Sequence, residues 1–67
     1  MFDPLTYLSV MEAARFLGLS ASTLNKMRVR GDGPPFSKCG RRVLYLMRDL
    51  SNWMAERRRQ STAEGRL

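Results

Sequence analysis

A chain of 67 residues makes one small domain, burying only about 60% of the surface its unfolded form exposes, which leaves little depth for a large substrate pocket. With no His and a single Cys, Cys39, it cannot assemble a Ser-His-Asp triad, a His-activated thiol, an internal disulfide or a Cys/His zinc site, so no cofactor or metal is expected and an enzyme is disfavoured. Twelve Lys and Arg against six acids give a net charge of +6, and all but Lys26 and Lys38 of the twelve are Arg, whose planar fork suits phosphate and base edges; such a surplus is the electrostatic footprint of a nucleic-acid binder.

Residues 1–7 read as a lead-in ending in Tyr7. Asp3 and Pro4 stand where a secretory signal would carry basic and then apolar residues, so the sequence does not start like one. Ser9-Val10-Met11-Glu12 is an S-x-x-E capping box, with Leu8 placed to staple against Ala13. Val10, Ala13, Ala14 and Leu17 follow i, i+3, i+4, i+7 spacing and give the first helix one apolar face. Gly18 ends it. Leu19 and Ser20 repeat the same start signals, with Leu19 able to staple to Leu24. A second helix follows from Ala21 to about Val29, with Leu24 and Met27 pointing inward and Gly31 as its stop. A separation of about three residues between the two helices fits a helix-turn-helix.

Gly31-Asp32-Gly33-Pro34-Pro35 breaks the helical pattern. Phe36–Cys39 and Arg42–Tyr45 then flank Gly40-Arg41, the pattern of a short β-hairpin. In this reading Phe36, Val43 and Tyr45 cover the core, while Lys38, Arg41 and Arg42 face out. A third helix starts near Met47 and runs to Arg57 or beyond, with Asp49 in its first turn and Leu46, Leu50, Trp53 and Met54 on one face. Trp53 is read as a core anchor, Arg57, Arg58 and Arg59 as cations suited to a helix end, and Cys39 as a hairpin residue without chemistry. The domain is expected to span residues 1–57, with 58–67 a basic, flexible tail.

The fold expected is therefore mainly α with a small β-hairpin, a winged helix-turn-helix of about three helices plus wing. Its second helix carries Ser22, Thr23, Asn25, Lys26, Arg28 and Arg30, with no Asp or Glu from Ala21 to Arg30; an ordinary surface helix alternates signs. Asn reads adenine and Arg or Lys reads guanine through paired hydrogen bonds in the major groove. Asn25, Lys26 and Arg28 are accordingly assigned to bases, and Ser22, Thr23 and Arg30 to the phosphate backbone. Arg41 and Arg42, with Lys38 beside them, are expected to touch DNA from the wing. Ser9 and Ser20 are read as caps alone.

Tyr7-Leu8-Ser9-Val10, Glu12-Ala13-Ala14, Leu17-Gly18-Leu19-Ser20 and Ser22-Thr23-Leu24 resemble the opening of the excisionase-type, MerR-like winged helix-turn-helix family. Gly40-Arg41-Arg42-Val43, Tyr45, Asp49-Leu50 and Trp53-Met54 resemble its wing and closing helix. The resemblance covers about residues 7–57 and extends to excisionases and AlpA-type regulators. It implies that the second helix enters the major groove of double-stranded DNA and the wing the adjacent minor groove. It further implies a recombination directionality factor that binds repeated sites cooperatively, bends DNA and helps a tyrosine or serine integrase excise a mobile element. A small transcriptional regulator built on the same domain is the alternative. The implied setting is the cytoplasm of a bacterium or phage host, on the nucleoid and not at a membrane. Two features depart from the family: the stiff Asp32-Gly33-Pro34-Pro35 approach to the wing, and the apolar Leu44 and Leu46 flanking Tyr45, a patch usable for self-association along DNA, with core packing the commoner role of such residues.

Overall fold

The computed structural model describes the backbone of residues 3–64 and the side chains of residues 3–57. Ser9 caps α1 (Val10–Leu17) as its sequence requires: the Glu12 N–H donates to Ser9 Oγ at 3.2 Å, and the Ser9 N–H donates to Glu12 Oε1 at 2.9 Å. Ser20 caps α2 (Ala21–Arg30), accepting from the Thr23 N–H at 3.1 Å. Gly18 and Gly31 close the two helices in the left-handed conformation, at φ 76° and 85°. The local signals of capping box and glycine stop thus set both helices and the turn between them.

Three strands pair antiparallel in the order β1-β3-β2, with β1 at Tyr7–Ser9, β2 at Ser37–Cys39 and β3 at Arg42–Leu46. The hairpin was expected; β1 was not. Tyr7 opens a strand whose Leu8 stands opposite Tyr45, so the lead-in ends at Thr6. Cys39 pairs with Arg42, leaving Gly40-Arg41 as a two-residue loop. Gly40 has φ 62° while no non-glycine residue among those described has positive φ; a positive angle at the first loop position alone fits a type II′ turn, which matches the twist of the flanking strands. β3 then runs directly into α3 (Met47–Glu64) with no intervening loop. In place of a capping side chain, two of the free N–H groups at the start of α3 donate to the N-terminal segment: Met47 to the Thr6 carbonyl and Arg48 to the Pro4 carbonyl, both at 2.8 Å.

Leu8, Ala13, Ala14, Leu24, Tyr45, Met47 and Leu50 form the core, with Val10, Phe16, Leu17 and Val43 packed around it. Leu8, Leu24, Tyr45 and Leu50 are its largest fully buried side chains, and burying a side chain of this size stabilises the fold by about 1.5–3 kcal/mol. Leu8 and Ala13, the expected staple pair, both belong to it.

Three expectations about side-chain direction are corrected. Phe36 is 45% exposed, because it precedes the first residue of β2 and lies at the rim of the sheet, its ring centroid 6.3 Å from that of Tyr45. Lys38 pairs with Val43 and Arg42 with Cys39, and paired residues share a face while neighbours along a strand alternate. Lys38 therefore leaves the sheet on the side of Val43 and Tyr45, and Arg42 on the other. The same alternation separates Leu46 from Tyr45: Leu46 and Leu44 share the outer face with Tyr7 and Ser9, so Leu46 does not join the inner face of α3. On α3, Leu50 is buried while Trp53 and Met54 are half-buried. Trp53 stands outside the core cluster and is not the core anchor expected: it lines a surface groove, and Arg57 lies over its ring, 4.7 Å from the centroid. α3 runs on to Glu64, within the expectation of Arg57 or beyond, so Arg57 lies inside the helix and not at its end. The expectations for Arg58, Arg59 and a flexible tail fall on side chains and a terminus outside the described residues.

Candidate nucleic-acid interface

α2 buries Leu24 and Met27 and turns the opposite side to solvent. On that side Ser22, Asn25, Lys26 and Val29 are all exposed, and their i, i+3, i+4, i+7 spacing makes them one row. Thr23 and Arg30 flank the row on one side, facing the groove between α2 and α3 that Trp53, Met54 and Arg57 also line. Arg28 flanks it on the other side, half-buried, its guanidinium 5.9 Å from the Phe36 ring centroid. α2 and the segment leading into the hairpin thus lie side by side. Their closeness extends along the loop, where a Cβ on Gly33 would come within 3.1 Å of Met27 Cβ.

The nine residues singled out in the sequence differ in how free they are. Ser22 and Lys26 stand exposed at the centre of the ridge. Thr23 Oγ1 accepts a hydrogen bond from Ser20 Oγ at 2.9 Å, which orients its hydroxyl. Arg28 Nη1 donates to Asn25 Oδ1 at 2.7 Å. Because a guanidinium only donates, this bond fixes which way the Asn25 amide points and leaves its NH₂ as the outward group. An amide held in this way offers donors rather than the donor–acceptor pair that reads adenine. Arg30 is paired with Asp32 at 3.2 Å, both side chains more than half exposed; an ion pair so exposed contributes about 0–1 kcal/mol and yields readily to a phosphate. Arg41 sits in the hairpin loop and Arg42 beside it, both exposed. Lys38 is exposed on the other face of the wing, so the hairpin presents cations from both sides.

Two residues to which the sequence assigned no DNA contact belong to this surface. Val29 is 82% exposed in the acid-free helix; its place in the row with Ser22, Asn25 and Lys26 was readable from helical spacing. Phe36, assigned to the core, instead forms the platform beside Arg28.

The class these features define is a winged helix-turn-helix: two capped helices joined by a tight turn, a basic second helix left open to solvent, and a hairpin at its side. A family profile described as helix-turn-helix domain matches residues 7–58, from the first strand into α3. The chain belongs to the helix-turn-helix domain family, and double-stranded DNA is the partner class such domains serve. None of the curated proteins compared with the chain matches it. No helix among the described residues is long and apolar enough to cross a membrane.

Proposed function

We propose that the protein binds double-stranded DNA in a sequence-specific manner, with α2 in the major groove and the wing against the neighbouring minor groove, and that it works by binding rather than catalysis. The observation that carries this reading is the open, acid-free row of Ser22, Asn25, Lys26 and Val29 on a helix flanked by the approach to a basic hairpin. Lys26 and the Asn25–Arg28 pair are the base readers. Ser22, Thr23 and Arg30 hold phosphates around the helix, and Lys38, Arg41 and Arg42 contact DNA from the wing.

The biological role proposed is that of an excisionase, a recombination directionality factor that occupies repeated sites, bends DNA and promotes excision of a mobile element by a tyrosine or serine integrase in the bacterial cytoplasm. It is supported by the resemblance of the motifs from Tyr7 to Met54 to that group, and by the outer sheet face where Tyr7, Leu44 and Leu46 lie together, an apolar surface suited to contact between neighbouring copies.

Binding to a duplex titrated over a range of salt tests the first level. If about five to eight phosphates are neutralised, log K falls with log salt at a slope of roughly −4 to −7; a flat response rejects DNA as the partner. Excision of the host element with and without the protein tests the second. Unchanged excision with a responding nearby promoter assigns the protein instead to transcriptional regulation through the same domain.

A further inference from the structure

Val29 is the most exposed of the large hydrophobic side chains described, more so than Met11 at 75% or Leu5 at 64%, and it stands where polar groups are expected. Its neighbours on the ridge are Asn25 and Lys26, and with Arg30 these three line a shallow depression on the outer side of α2. The wall of that depression is mostly carbon despite the polar character of its other residues, because the aliphatic stems of Lys26 and Arg30 lie along it. A hydrocarbon-lined hollow therefore lies in the middle of a surface otherwise built for hydrogen bonds and charge.

In the major groove one base-pair edge is apolar: the C5-methyl group of thymine. The seven residue steps from Ser22 to Val29 rise about 10 Å along the helix, a length that fits a groove roughly 12 Å wide. A ridge inserted far enough for Asn25 and Lys26 to reach base edges carries Val29 in with it. In contact with a phosphate its isopropyl group offers neither charge nor a donor; against a thymine methyl it buries hydrocarbon on both sides.

We infer that Val29 is a specificity-determining residue that selects thymine through its C5-methyl group, one or two base pairs from the position read by Asn25 and Lys26. This inference rests on the proposed insertion of α2 into the major groove and adds to it a chemical preference that charge and hydrogen bonding do not supply.

Uracil tests it, since it differs from thymine only by the missing methyl. A duplex enriched from a random pool by the wild-type protein is remade with uracil at each thymine in turn, and affinities are measured for the wild type and for Val29→Ala. The inference expects one position at which uracil weakens wild-type binding about fourfold, the effect of one buried methyl-sized group. At that position Val29→Ala should bind the two duplexes nearly equally. Val29→Ile, which keeps a branched hydrocarbon, should retain the preference. The exposure of Val29 and the better helix propensity of Ala keep the variant folded, which circular dichroism confirms. Uracil tolerated at every position overturns the inference, as does an undiminished thymine preference in Val29→Ala; in both cases DNA binding itself stands. Failure to enrich any duplex removes the DNA-binding reading and this inference together.

Discussion

The Asn25 amide has one oxygen, and Arg28 donates to it at 2.7 Å. The sequence supports assigning each residue its own base, but side chains that hydrogen-bond across one helical turn act as a unit. With Oδ1 engaged, the Asn25 NH₂ is left to donate, which on the proposed reading suits acceptors such as guanine O6 or thymine O4, while the Arg28 guanidinium lies beside the Phe36 ring. Asn25→Ala and Arg28→Ala are each expected to weaken binding by about 1–3 kcal/mol and the double variant by clearly less than the sum, because either change dissolves the pair. Strict additivity in a binding cycle would show the two residues reading DNA separately. Tyr45 presents the opposite case, a group with too few partners. It is fully buried, and its hydroxyl is the one buried side-chain polar atom among the described residues without a hydrogen bond. Burying a hydroxyl unpaired costs about 1–3 kcal/mol. Tyr45→Phe should therefore raise stability by about 1 kcal/mol, equivalent to roughly 4–8 °C in Tm for a domain of this size. A fall in Tm would reveal a partner for that hydroxyl in solution.

At the scale of elements, the helices were legible because their signals are local. Ser9 with Glu12, Ser20, Gly18 and Gly31 each act within one turn, and the structure puts every one of them in the expected role. Ser9→Ala removes one half of a capping box and should cost about 1 kcal/mol by thermal denaturation. DNA affinity below the melting transition should stay unchanged, since the hydrogen bond removed lies within the first turn of α1 and not on the α2 ridge; a large loss of affinity would place the start of α1 in the interface. The sheet was less legible because its determinants are non-local. Tyr7-Leu8-Ser9 is too short to show an alternating pattern, and what makes it a strand is β3, far along the chain, offering its free edge. Lys38 shows a different gap. Phe36 and Lys38 are two residues apart and must share a face of an extended chain, so an inward Phe36 and an outward Lys38 were never compatible. The structure resolves the conflict by leaving both on the inner side, exposed beyond the edge of the core. The central row of the ridge was readable from helical spacing once Leu24 and Met27 were known to be buried, whereas the Asn25–Arg28 bond depends on rotamers that sequence spacing does not specify.

For the whole molecule, size and charge limit what one copy can do. A single module of this kind buries about 600–1,000 Å² on DNA, at the low end for specific recognition, and much of its affinity is electrostatic and lost at physiological salt. One helix ten residues long and one short wing read few base pairs. A copy bound alone is therefore expected to be weak and permissive, and in the proposed role selectivity comes from several copies on adjacent sites, each raising the effective concentration of the next. The surface proposed for such contacts is the outer sheet face, where Leu44 and Leu46 lie with Tyr7, which is 54% exposed. Leu44→Lys would place a like charge on this face of a protein already at +6 without touching α2. Binding to a single site should then stay within about twofold of wild type, since the added charge attracts DNA while the ridge is intact. On a fragment carrying several sites, the steep progression of gel-shifted species should flatten into independent steps. Equal cooperativity in Leu44→Lys and wild type would detach neighbour contacts from this face, and one wild-type protein per fragment at saturation would remove multiple occupancy from the mechanism altogether.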